Sequence, residues 1–157
     1  MSRLVAITGA TGFFGRYIVG ALASRGWRVR ILARHAIDHP QLADLQLDVV
    51  CGDLSDRQAL RTLVDGADAI VHAAGLIKAS SAGAFEAVNV HGTANLLRAI
   101  EERGVAARVL LVSSMAAREP RLSAYARTKR AAEDLLVSVL SPRCDWIILR
   151  PCAIYGP

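Results

Sequence analysis

The chain is poor in several things, and each shortage removes a class of function. No apolar run approaches the roughly 20 residues that a membrane-spanning helix needs, so no bilayer span is expected. Aromatic residues make up only 5% of the 157 positions. The basic residues are scattered rather than gathered in a stripe with aromatics between them, so a nucleic-acid surface is not expected. The net charge of +5 then reads as a soluble surface with a mild preference for anionic small molecules. The three cysteines, Cys51, Cys144 and Cys152, lack metal-ligand spacing. Cys51 and Cys144 adjoin apolar runs and are expected to pack as small core residues. An odd cysteine count, with no signal-peptide pattern after Met1-Ser2-Arg3, points to a reducing cytoplasm. Lysine is the scarcest charged type: of 19 basic residues only Lys78 and Lys129 are lysines.

What is present is a regular alternation of short apolar runs and helical periods. At this length the chain fits one domain, residues 1–157, with a real core. Strands are expected at Leu4 to Thr8, Trp27 to Ala33, Leu47 to Cys51, Ala69 to Ala74, Arg108 to Val112 and Asp145 to Leu149. Helices are expected from about Gly12 to Ser24, from a capping box at Ser55 and Gln58 through Val64, from Ala84 to Arg103, and from Ser123 to Leu140, where Ser141-Pro142 stops the last one. His35 to Asp44, broken by Pro40, reads as a loop. Branched, apolar strands alternating with helices predict an α/β fold: a doubly wound parallel sheet of about six strands, with helices on both faces. A ligand crevice is then expected beyond the carboxyl ends of the strands, beside the first.

The sharpest local signal is Thr8-Gly9-Ala10-Thr11-Gly12-Phe13-Phe14-Gly15, between the first strand and the first helix. Glycines at spacings of three and three allow a reversal with positive φ, close approach of backbone to a diphosphate, and tight seating of helix on strand. The helix that begins here offers unpaired N–H groups to an anion. The second strand ends in Ala33-Arg34-His35, without the acid that would bond a ribose 2′-hydroxyl. Arg34 is suited to a 2′-phosphate instead, so NADP is expected over NAD, with NAD still possible. Asp53, after the third strand, could accept from an adenine amino group with Leu54 packed on the ring, or could simply cap a turn. His72 lies inside an apolar strand and reads as structural, while Ala73, Ala74 and Gly75 permit close approach of a ligand.

Tyr125 and Lys129 are four residues apart on a predicted helix and project together. A nearby ammonium lowers a phenol's pKa from about 10 and makes it usable as an acid or base near neutrality. Ser113 and Ser114 end the fifth strand, where a hydroxyl could polarise a substrate carbonyl. Asn89 sits in an otherwise apolar helical stretch and needs partners, either a water or lysine network or a kink in the helix.

Taken in order, TGATGFFG at 8–15, GDL at 52–54, HAAG at 72–75, VNVHGT at 88–93, VSS at 112–114, YARTK at 125–129 and RPCAIYGP at 150–157 resemble the extended or atypical short-chain dehydrogenase/reductase superfamily, the NAD(P)-dependent epimerase/dehydratase group. The resemblance implies an NAD(P)-binding Rossmann fold and hydride exchange between a nicotinamide and a small hydroxyl or carbonyl compound, such as a nucleotide-sugar. It implies Tyr125 as acid/base, Lys129 as its cationic neighbour and ribose holder, Ser114 (with Ser113 the other register) as the carbonyl-orienting hydroxyl, and Asn89 as support for the lysine. It implies cofactor contacts at Thr8, Gly9, Thr11, Gly12, Phe13, Gly15, Asp53, Leu54, Ala73, Ala74, Gly75 and Pro151. Where many extended members carry Tyr-Gly after the strand-five serines, Met115-Ala116-Ala117-Arg118 stands here, as in atypical members. Family members continue past RPxxxYGP, so the chain is expected to be the cofactor-binding part of a longer protein, lacking the substrate lobe and leaving strand six with an open edge. The other reading is a non-catalytic NAD(P)-binding sensor or structural subunit. The long helices are candidates for pairing two copies across a two-fold axis.

Overall fold

The computed structural model describes residues 2–140 and 144–156. Six strands form one parallel sheet: β1 (Leu4–Thr8), β2 (Arg28–Ala33), β3 (Leu47–Cys51), β4 (Ala69–His72), β5 (Arg108–Val112) and β6 (Trp146–Leu149). Their order is β3-β2-β1-β4-β5-β6. The register sets Ile7 beside Ile31 on one side and Val71 on the other. This is the doubly wound Rossmann-like arrangement that the alternation predicts, with its switch point between β1 and β4.

Residue alternation along β1 divides the core in two. Val5 and Ile7 face α1 (Phe13–Ala23) and α2 (Pro40–Ala43), meeting Val19 and Leu42. Ala6 faces the other layer, where Leu60 and Leu63 of α3 (Arg57–Val64), Leu96 and Ile100 of α5 (Gly92–Arg103), and Leu136 and Leu140 of α6 (Ala124–Leu140) pack together. A short α4 (Ala82–Phe85) leads through a π-helical stretch, Glu86–His91, straight into α5. The two layers cover the sheet unevenly. On edge strand β6, Ile148 packs in the second core while Ile147 and Leu149 are 62% and 41% exposed. Among the described residues β6 is the last strand of the sheet, and its outer face is partly exposed. Beside it lies an apolar hollow lined by Leu22, Trp27, Val71, Leu110 and Ile147.

Several local expectations are corrected. The loop at 35–44 contains α2, because Pro40 sits in the first turn and His39 caps it, its Nδ1 accepting from Gln41 N at 3.2 Å. The cap of α3 is Asp56, which accepts from Ala59 N at 2.9 Å, and not Ser55. Strand β4 stops at His72, leaving Ala73 and Ala74 in the following loop, and β2 and β6 each start one residue later than expected. A 3₁₀ turn, Met115–Arg118, was not foreseen. Cys51 is exposed on edge strand β3 and is not a core residue, whereas Cys144 is partly buried and packs against the second core. The expected helix stop at Ser141-Pro142 lies outside the described residues. Among the described residues no helix is long and apolar enough to cross a membrane.

Candidate functional site

The glycine turn is built by the absence of side chains. Gly9 has φ +75°, and a Cβ there would lie 2.5 Å from Ala74 N. A Cβ on Gly15 would overlap the carbonyl of Gly9. The turn is thus pressed onto the end of β4 on one side and onto α1 on the other, and only glycine fits. Gly12 N donates to Gly9 O at 3.1 Å, and Gly12 caps α1 without any side-chain bond. The first amides of α1 consequently face outward at a positive helix end.

Behind the turn runs a buried relay centred on His72. Thr93 donates its hydroxyl hydrogen to Asn89 O at 2.7 Å, so the 2.9 Å contact between Thr93 Oγ1 and His72 Nε2 requires a proton on Nε2. Nδ1 is then the acceptor, and Thr8 donates to it at 2.6 Å while receiving Ala74 N at 3.3 Å. Burial, seconded by the charge of Lys129, pushes the His72 pKa down to about 3. The ring is neutral and structural, as its apolar strand suggests. Thr8, expected as a cofactor contact, is buried in this relay instead.

Asn89 extends the relay to the loop after β4. Its Oδ1 accepts Leu76 N at 2.8 Å, and its Nδ2 donates to Leu76 O at 3.1 Å and Thr128 Oγ1 at 3.2 Å. It sits on the π-helical stretch, where one extra residue per turn re-aims side chains. The amide does not hold Lys129 by a direct bond. The two converge on Gly75, where a Cβ would be 3.2 Å from Asn89 Oδ1 and 3.5 Å from Lys129 Nζ.

Tyr125 and Lys129 stand one turn apart on α6, with the Tyr125 ring tilted 55° against Phe85 at 6.0 Å. Lys129 is only 6% exposed and donates to Val112 O at 2.7 Å. Burial pushes its pKa down to about 8, against the opposing pull of the Glu133 carboxylate. The two serines divide. Ser113 donates its hydroxyl to Glu133, whereas Ser114 accepts Ala116 N at 3.2 Å as the cap of the 3₁₀ turn and retains its own proton to donate.

These parts enclose one cleft of about 450 Å³ at the carboxyl ends of the strands. Gly9, Gly12, Phe13 and Gly15, after β1, line one end, and Ser113, Ser114, Tyr125 and Lys129, after β5, the other; Ala73, Gly75 and Pro151 are also in the lining. Phe14, Leu76, Ile77, Val112, Cys152 and Ile154 line it too and were not anticipated. Phe14, Val112, Cys152 and Ile154 lie inside the quoted motifs at 8–15, 112–114 and 150–157, which could have singled them out, whereas Leu76 and Ile77 lie in none. Thr11 and Arg34 line a neighbouring hollow of about 260 Å³ with His35 and His39, just past β2. Ala74 lies behind Gly9. Asp53 Oδ1 accepts both Ser55 N (2.7 Å) and Ser55 Oγ (2.6 Å), which holds its carboxyl below the usual range. This is the turn role. Leu54 packs on Gly92 of α5, and neither residue lines the cleft.

The sequence profile of the family described as NAD dependent epimerase/dehydratase matches residues 5–157. A ceramide reductase of Caulobacter vibrioides is 51% identical over 154 residues, covering 98% of this chain and 47% of that protein. The Bordetella bronchiseptica enzyme WbmH, solved in complex with NAD+, superposes with a TM-score of 0.86 at 25% identity, over 100% of this chain and 58% of its own. MoeE5, solved with UDP-glucuronic acid and NAD, gives a TM-score of 0.81 at 25% identity, over 95% of this chain and 54% of its own. The chain spans about half the length of these relatives.

Proposed function

The chain belongs to the NAD dependent epimerase/dehydratase family, and we propose that residues 1–157 are the NAD(P)-binding domain of an oxidoreductase that interconverts a hydroxyl and a carbonyl group. The observation that carries this is the sharing of one cleft by a glycine turn at an uncapped helix start and by a half-buried tyrosine next to a buried lysine. The first is a seat for a diphosphate. The second is a proton-transfer pair.

The fit to a dinucleotide rests on the shape of the turn: side chains at Gly9 and Gly15 would collide with backbone, so the loop presents amides rather than side chains to the cleft. The amides of Phe13 and Phe14 would hold the diphosphate, and Lys129 the ribose nearest the nicotinamide. The bound nicotinamide supplies hydride exchange with a substrate carbon. The remaining work is done by the chain. Tyr125 passes its phenolic proton to the carbonyl oxygen in the reducing direction and takes it back in the other. The ammonium of Lys129 favours the phenolate that this leaves behind. Ser114, rather than Ser113, donates to the substrate oxygen, since the Ser113 hydroxyl is held by Glu133.

Arg34, the residue directly after β2, at the hollow beside the glycine turn, supports a preference for NADP, although Asp38 lines the same hollow. The 51% identity to a ceramide reductase, together with Leu76, Ile77 and Ile154 in the lining, favours a carbonyl on a lipid-like molecule over the nucleotide-sugar of MoeE5. Pairing of two copies through α6, where Val137 is exposed, belongs to the same proposal and is checked by the mass of the particle in solution.

The test is Tyr125→Phe in the longer protein. Turnover is expected to fall by roughly 10²–10⁴-fold or more, while cofactor affinity stays within about twofold because the phenol adds little to ground-state binding. Turnover that survives the substitution removes the acid/base assignment.

A further inference from the structure

We propose that Glu133 is a positioning residue of the cleft: its one buried carboxylate fixes the ends of β5 and β6 and supplies the countercharge that keeps Lys129 an ammonium. The proposal rests on reading Lys129 as part of the cofactor site, and its test is separable from that reading.

Tyr125, Lys129 and Glu133 are spaced i, i+4, i+8 and share one face of α6. The first two line the cleft, and the third stands behind them, 2% exposed. A buried carboxylate is costly unless every lone pair is matched. Here Oε1 accepts from Ser113 Oγ and from Arg150 Nε at 2.9 Å, and Oε2 accepts from Arg150 Nη2 at 2.6 Å. Burial alone would push this carboxyl up, but the Arg150 and Ser113 bonds hold it below the usual range. Both partners lead directly to the cleft. Ser113 precedes Ser114, and Arg150 precedes Pro151 and Cys152. The two segments are zipped together by Ser113 N to Leu149 O (2.7 Å) and Met115 N to Pro151 O (3.0 Å). One carboxylate therefore ties three elements at the point where their side chains enter the site.

The charges around Lys129 make the second role specific. From β4 it faces His72, which is neutral. From its own helix it faces Tyr125 and Glu133. From the segment after β6 comes Arg150, a cation paired with Glu133, with Arg130 and Asp134 acting on that pair from the outer side of α6. Among the described residues Glu133 is the one anion acting on Lys129. Removing its charge leaves the lysine with its burial and an unpaired arginine, and both favour the neutral amine.

The scarcity of lysine makes this directly measurable. Within residues 1–157, lysine labelled with ¹³C at Cε gives signals from Lys78 and Lys129 alone, and Lys129→Arg identifies the Lys129 signal by its loss. Lys129 is expected to titrate near pH 8. Glu133→Gln is expected to lower that midpoint by about one pH unit or more. Arg150→Met, which leaves the carboxylate without its nearer cation, is expected to raise it. Opposite shifts cannot come from loosening of the fold. An unchanged midpoint in folded Glu133→Gln, or shifts of the same sign in both variants, overturns the proposal. If Glu133→Gln does not fold, an unchanged midpoint in Arg150→Met overturns it equally. An NADPH titration of Lys129→Met tests the underlying reading separately: unaltered affinity removes Lys129 from the cofactor site whatever the NMR shows.

Discussion

The two ends of the cleft are made from different materials. The end at α1 is main chain: glycines packed so closely that any Cβ at Gly9 or Gly15 meets backbone, and a helix start with no side-chain cap. The end at α6 is side chain: buried Lys129, Glu133 and Ser113, with the more exposed Arg150 paired to Glu133 and the His72 relay beside them. The first kind of site is set by volume and tolerates no addition. The second is set by charge and is tuned by pH and by residues that never touch a ligand. The substitutions that break each end should differ accordingly.

The largest effect is expected at Gly15. Gly15→Ala forces a methyl into the Gly9 carbonyl, so the loop must shift. A loss of roughly 3 kcal/mol in stability is expected in denaturant melts. The second effect sharpens the ligand side of the comparison. Arg34→Ser should erase most of an NADPH preference over NADH, about 10- to 100-fold, the worth of a charge-assisted bond to a phosphate. Parallel fluorescence titrations check this, and equal affinities in the unsubstituted chain contradict it.

The third concerns the charge-built end. The folded pKa of His72 is about 3, against 6.5 for the free side chain. Between those values the unfolded chain binds the extra proton. The neutral ring's contribution is thus complete above pH 6.5 and is lost as pH falls toward 3, by up to about 1.4 kcal/mol per pH unit. His72→Gln should be less stable at pH 7 but should show a shallower loss between pH 6 and 4 in melts across that range. The smallest effect is a control on the first. Gly20 lies in the same helix as Gly15, but a Cβ there meets nothing within 4 Å. Gly20→Ala should therefore stabilise the chain by about 0.5–1 kcal/mol.

The same contrast explains what could be read from the residues alone. Glycine spacing between a strand and a helix states its own geometry, so the turn was legible, as were the strands and the doubly wound parallel sheet that their alternation implies. Tyr125 and Lys129 were legible because both lie on one helix, four apart. Glu133 was not: within Ala131-Ala132-Glu133-Asp134-Leu135 it looks like a solvated helix residue, and its partners arrive from positions 113 and 150 only once β5, α6 and β6 are packed. Thr8 was expected at the cofactor and is buried against His72 instead, while Asn89, expected to serve a lysine network or a kink, sits on the π-helical stretch and converges with Lys129 on Gly75; a hydroxyl or amide declares a need for partners without naming them. Asp53 and Ser55 show the same ambiguity at short range. Ser55 was expected to cap α3 but bonds to Asp53, and its neighbour Asp56 is the cap.

The central claim is that one dinucleotide runs from the backbone-built end of the cleft to the charge-built end. A crystal structure of the chain with NADP+ tests it most directly. The diphosphate is expected within hydrogen-bond distance of the Phe13 and Phe14 amides, with the nicotinamide ring beside Tyr125 and its ribose at Lys129. A diphosphate seated elsewhere, or a nicotinamide out of reach of the Tyr125 hydroxyl, would contradict the account.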